Sequence, residues 1–250
     1  MEVHHPHHPT HKKNWSEYII EFVMLFAAVT LGFFAENVRE HQIEKHREIS
    51  YLKNVHEDLT LDLKNIDSVI SQNTVRLHAM DSLFTYINSG KISDQDLYYY
   101  IRNLALRATF ESSHIGLDQI KSAGGLRMIK NFKIISGIQE YERNLNSTEK
   151  LENVRERTLE QARFKMAEVF DPSISYEMLS NQGKGIMRFK RPMQADAISQ
   201  NNKPAIKVLL NLITFGLNTN KYLNSRLNDL KVIGTNLDEV ILKEYGDNFE

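Results

Sequence analysis

The sequence predicts an all-α protein, with one N-terminal transmembrane helix followed by an antiparallel bundle of long helices. Three observations lead there. An uninterrupted apolar run, Phe22 to Ala35 (FVMLFAAVTLGFFA), stands near the amino terminus. Behind it, apolar residues recur at spacings of three and four, the period of one helix face. Helix breakers are sparse: the 250 residues hold 5 prolines, and none falls between Thr10 and Asp171.

Residues 1–16 form a His/Pro-rich tail that opens MEVHHPHHPTHKK and has no apolar periodicity, so it reads as extended and solvated. Its histidines could bind a transition metal, but Pro6 and Pro9 interrupt them and a solvated tail is the simpler reading. The membrane helix is placed at 17–36. The run from Phe22 to Ala35 would cover only roughly 21 Å of the ~30 Å hydrocarbon core. Adding Tyr18, Ile19, Ile20 and Glu21 extends it to roughly 27 Å. Trp15 and Tyr18 stand where interfacial aromatics belong, Lys12 and Lys13 supply a basic flank, and Glu21 sits near the outer edge, within reach of the headgroups. Ala28 and Gly32, four apart, would let two spans pack closely. A cleavable signal needs small residues at both key positions before its cut, and here Phe33 precedes Ala35 by two. An in-plane helix needs a polar face, which this run lacks. A buried core helix stays open, because the run is short.

The flanking charges bear on orientation. Counting bases alone (Lys12 and Lys13 before; Arg39, Lys45 and Arg47 after) would keep the domain in the cytoplasm. Glu36, Glu40, Glu44 and Glu48 dilute the second group, and a long domain translocates regardless of flanking charge. The expected arrangement is a short cytoplasmic tail with the domain outside. The chain has no cysteine, so disulfides are excluded and the redox compartment is not indicated.

A polar stretch at 37–50, with Glu and Arg/Lys interleaved, suits a stalk helix, and residues 51–250 should form the bundle. Its first helix carries the stripe Leu52, Val55, Leu59, Leu63, Ile66, Ile70, Leu77, Met80, Phe84 and Ile87, and Ser89-Gly90-Lys91 should end it. Ser93 followed by Asp96 marks the next helix start. A short helix is expected at about 113–121, then a Gly124-Gly125 hinge acting as C-cap, then a second short helix through Lys130. A long helix follows over about 133–169, with the stripe Ile134, Ile138, Tyr141, Leu145 and Leu151, stopped by Asp171-Pro172. Glycines and prolines then predict an irregular, partly mobile excursion at about 172–203. Pro204 suits a first helical turn, and Ile206, Leu209, Ile213, Leu217, Leu223, Leu227, Leu230, Leu237 and Ile241 mark a last helix to about Tyr245.

Two stretches carry a resemblance. KKNWSEYIIEFVMLFAAVTLGFFAENVREH, with the following YLKNVHEDLTLDL, and TFESSHIGLDQIKSAGGLRMIKN resemble a family of bacterial proteins with one N-terminal span and a helical soluble domain. The resemblance covers about a quarter of the chain. It implies the inner (cytoplasmic) membrane of a bacterium and supplies no activity.

Charge is balanced, with 31 basic and 32 acidic residues, so no electropositive field points to nucleic acid. There is no Gly-rich phosphate loop, GxSxG or HExxH, and no cysteine nucleophile. The nearest thing to a catalytic or metal group is Glu111, His114 and Asp118, which could share a helix face. Carboxylate-bridged metal bundles use such a Glu-x-x-His on two helices, and a second helical copy is missing here. Gly124-Gly125 could expose amides to an anion near Arg127 and Lys130, though a structural hinge is the simpler reading. Of Tyr98, Tyr99 and Tyr100, at least one should point outward. The expectation is therefore a non-enzyme without cofactor. Its partners would be the lipid bilayer and a protein, another copy of the chain included, and it would act as an interaction or scaffold module. The alternative is an envelope sensor that binds a small ligand.

Overall fold

Helix α1 runs unbroken from Trp15 to Asn88 in the computed structural model, which describes residues 14–122, 124–179, 189–195 and 202–249. The tail at 1–13 lies outside the described residues. Six α-helices are described: α1, α2 (Asp94–Leu104), α3 (Ile115–Ser122), α4 (Phe132–Val169), α5 (Pro172–Glu177) and α6 (Lys203–Tyr245). Short 3-10 turns occupy Gly125–Arg127 and Gly246–Asn248. The described residues contain no strand, only an isolated bridge between Leu179 and Phe189. Two compact units divide the chain at Ile49/Ser50.

In the first unit, α1 carries the apolar run. Among the described residues one helix is long and apolar enough to cross a membrane, and none of that window is buried. Phe22, Met24, Leu25, Phe26, Leu31, Phe33 and Phe34 are each at least 59% exposed, and together they point to every side of the helix.

The second unit is a helical bundle built on α1, α4 and α6. Residue pairs give the directions. Between α1 and α6, His56 meets Asp238, Asp67 meets Lys231 and Asn73 meets Asn224, so numbers fall on α6 as they rise on α1. Between α4 and α6, Gly137 faces Leu237, Arg155 meets Asn220 and Gly216 faces Leu159. Between α1 and α4, Asp62 meets Tyr141 and Asn73 meets Arg155, rising together. Every member of the α6 stripe, Ile206 to Ile241, is buried. The α2 end of the bundle is apolar: Met80 and Leu83 of α1, Tyr98 and Ile101 of α2, Met166 of α4 and Ile213 of α6 share one cluster.

Local chemistry sets the helix ends. Gly90 takes a left-handed φ of 68° after α1, a conformation that costs other residues their Cβ clearance. Ser93 and Asp96 close a capping box on α2. Asn131 caps α4 through Lys133 N at 2.8 Å. Asp171 caps α5, with Pro172 in its first turn.

Several expectations are corrected. The second short helix through Lys130 is only the turn Gly125–Arg127. Leu151 is half-buried; the α4 stripe passes instead through Thr148, Glu152 and Arg155 to Leu159, because the 3.6-residue period from Leu145 lands on those residues. Part of the excursion at 172–203 is helix α5, and 180–188 and 196–201 lie outside the described residues. No tyrosine of the Tyr98–Tyr100 run is exposed: Tyr98 is buried, and Tyr99 and Tyr100 are half-buried against each other, their rings 5.4 Å apart.

Candidate functional site

The segment YLKNVHEDLTLDL of α1 packs against the second stretch that carries the resemblance. Asn54, Asp58, Asp62 and Asn65 follow each other at spacings of four and three, so one face of α1 presents them together. Asp58 accepts hydrogen bonds from Ser113 Oγ and from Gly116 N (2.7 Å). Asp62 accepts from Ser112 Oγ (2.5 Å), Ser113 N (2.7 Å) and Tyr141 Oη (2.6 Å). Asn54 donates to Gln119 (2.6 Å) and Asn65 to the Glu111 carbonyl (2.8 Å). Only glycine fits at 116, where a Cβ would lie 2.5 Å from Val55 N and 2.6 Å from the Asn54 carbonyl carbon.

A second polar layer crosses the bundle one step further on. Arg155, 2% exposed, donates to the Ala108 carbonyl (2.7 Å) and to the side chains of Asn220 (3.2 Å) and Asn73 (3.4 Å). Glu152 accepts from Phe110 N (3.0 Å) and lies 3.5 Å from Arg155. The loop over 105–114 dips into the bundle at Ala105, Ala108 and Phe110, where its backbone groups need partners away from water, and charged side chains of α1 and α4 supply them.

Burial pushes the Asp62 and Glu152 carboxyls above the usual carboxylate range, outweighing the hydrogen bonds they accept. Burial also pushes the Tyr141 phenol up, and the neighbouring Asp62 carboxylate pushes it further. Shifted groups of this kind occur at catalytic centres. Here Asp58 is 4% and Asp62 1% exposed, and their oxygens are occupied by donors of the chain itself. The geometry fastens a loop; it offers no face to a substrate.

Sequence reading passed over Asp58, Asp62, Glu152 and Arg155. The available signal was their register, since each continues the three-four spacing of an apolar stripe. A charge in stripe register points to a buried partner.

The candidate metal residues do not gather. Among the described residues no group of three His, Cys, Asp or Glu could hold a metal ion. His114 Nε2 lies 3.6 Å from Glu149, while Glu111 uses its carbonyl to receive Asn65 and Asp118 stands in the first turn of α3. Ser112 turns to Asp62. Gly124 has a left-handed φ of 64°, and Gly125 packs on the Tyr51 ring and the Ile120 backbone. Tyr18, Glu21, Phe22, Ala28, Gly32 and Ala35 all lie on the exposed first part of α1, and a Cβ at Gly32 would meet nothing within 4 Å.

An open cavity of about 650 Å³ lies between α1 and α2. Arg76 and His78 reach it from α1, Tyr99 and Tyr100 from α2, and Arg191 from the segment after Phe189. That segment is tied down. Asn103 bonds both the N–H and the carbonyl of Phe189 (3.0 Å each), Lys190 N donates to the Met178 carbonyl (2.8 Å), and Met193 N to Glu177 (2.9 Å). Arg191 pairs with Asp96 and lies over the Tyr99 ring at 5.0 Å. Compared with known protein families, curated proteins and solved structures, the chain matches none.

Proposed function

We propose that this is a single-span membrane protein whose bundle, with α6 antiparallel to α1 and α4, acts by binding a protein partner. One observation carries the reading: α1 exposes large apolar side chains on all its faces from Phe22 to Phe34. Such a surface is stable in hydrocarbon and costly in water. The buried polar groups at Asp58, Asp62, Glu152 and Arg155 are taken up with holding the bundle, which suits a binding module better than an enzyme. Kinship with the bacterial single-span family, an inner-membrane location and an external domain belong to the same proposal. The test is topology. The chain has no cysteine, so single cysteines at Thr10 and Ser147 can be labelled in intact cells with an impermeant maleimide. Labelling at Ser147 alone is expected. Labelling at Thr10 alone would put the bundle in the cytoplasm, and release of the chain from membranes by carbonate would overturn the span itself.

The cavity between α1 and α2 favours a second reading, a sensor domain that binds a small ligand. A volume of about 650 Å³ lies in the range of ligand sites, and several polar groups converge on it.

A further inference from the structure

The cavity between α1 and α2 has a composition that selects among ligands. Its described lining holds two guanidiniums, Arg76 and Arg191, and one imidazole, His78, and no carboxylate. A guanidinium carries five N–H donors in a planar fork suited to a carboxylate. The pair with Asp96 therefore leaves Arg191 donors for a second acceptor. Two half-buried rings, Tyr99 and Tyr100, form the α2 wall, and Tyr86 lies behind Tyr100 at 6.2 Å. Aromatic faces and edges favour a flat apolar body over a branched one. Gln72 and Ser82 of α1 add hydrogen-bonding groups.

The wall that presents Arg191 is built rather than draped. Asn103 grips Phe189 at both backbone groups, Arg102 lies over the Phe189 ring at 4.2 Å, and Asp96 and Tyr99 hold the Arg191 head. The backbone beside Arg191 is thus held in place, and Asp96 and the Tyr99 ring orient its half-exposed head, which lowers the ordering cost of binding.

We propose that this cavity binds a small organic carboxylate with a flat, apolar body, its carboxylate held between Arg76 and Arg191 and its body against the edge-to-face pair Tyr99 and Tyr100. This rests on the ligand-binding reading of the bundle and adds the chemistry of the ligand.

Calorimetric titration of the detergent-solubilised full chain tests it, with benzoate and phenylacetate as probes and benzamide and benzylamine as neutral and cationic counterparts. The carboxylates should bind at least tenfold more tightly than either counterpart. Arg76→Gln and Arg191→Gln should each weaken them at least tenfold. The comparison of probes uses the unaltered chain, so it stands even where a variant fails to fold. Equal binding of benzamide and benzoate would overturn the carboxylate chemistry and leave a ligand site. The same follows if a wide metabolite panel yields a ligand indifferent to both arginine variants. Failure of the probes and of the whole panel to bind would overturn the ligand-binding reading as well.

Discussion

Helix α1 contains two apolar stretches that behave in opposite ways. From Phe22 to Phe34 the large side chains are more than half exposed, whereas Leu52, Val55, Leu59, Ile66, Val69, Met80 and Leu83 are each 6% exposed or less. Backbone and helix type are the same in both. What differs is spacing: an unbroken run covers every face of a helix, while a three-four stripe covers one. A bundle can cover a stripe with two neighbours, whereas a run needs cover on every side. The buried polar groups of the second stretch reach beyond their own helix. Thr30 bonds the Phe26 carbonyl of its own helix at 2.8 Å, whereas Asp58, Asp62 and Asn73 find partners 50 or more residues away. The second stretch is thereby held in register by hydrogen bonds that no sliding of α1 could keep.

The sharpest way to break this contrast is a pair of truncations. Ile66→Ala removes a side chain with 0% exposure and should cost about 2–5 kcal/mol in urea unfolding of the full chain in detergent. Phe26→Ala, at 63% exposure, should leave that unfolding within about 0.5 kcal/mol. Equal effects would mean that the apolar run belongs to a protein core.

Two glycines give the next largest difference. Gly116→Ala drives a Cβ into the backbone of Asn54 and Val55, which cannot rotate away, and should cost about 1–3 kcal/mol or more. Gly32→Ala meets nothing within 4 Å and should be neutral or stabilising by up to about 1 kcal/mol. The same unfolding measurement decides both.

How much of this could be read from the sequence follows the same division. Helix ends were legible where one residue type has one local reason to be there, as at Gly90, the Ser93–Asp96 box and Pro204. The α6 stripe was legible because its nine marked positions are all aliphatic. The loop over 105–114 was not. Its burial depends on Asp58 and Asp62 from one helix and Glu152 and Arg155 from another, and a charged residue taken alone reads as surface. Nor could spacing reveal that Gly116 abuts Val55, a contact between segments about 60 positions apart. The cavity was hidden for the same reason, since Arg191 reaches it only through the grip of Asn103 on Phe189.

Asp62 sharpens the contrast through pH. Its folded pKa is raised by burial, so the folded chain holds this proton more tightly than the unfolded chain does. The contribution to stability is then full below the ordinary aspartate range and is lost as pH rises through the raised folded value, a negative slope of stability against pH. Glu152 acts in the same direction. Asp62→Asn should remove the Asp62 part of that slope and, by setting an NH2 against donors from Ser112, Ser113 and Tyr141, cost about 1–3 kcal/mol. Unfolding midpoints from mildly acidic to neutral pH would show it. A slope unchanged in the variant would mean that Asp62 is ionised in both states.

The smallest expected effect tests the apolar run itself. Thr30 satisfies its hydroxyl within its own helix, so Thr30→Val should change neither unfolding nor self-association in detergent by more than about 0.5 kcal/mol. Inside a hydrocarbon medium, a hydroxyl bonded across two helices contributes about 1–2 kcal/mol in model peptides. A loss of that size in an association measurement would therefore place a second helix against the Thr30 face, which lies across the helix from Ala28 and Gly32. The run would then be a contact between copies of the chain, and lipid would cover only the faces left over.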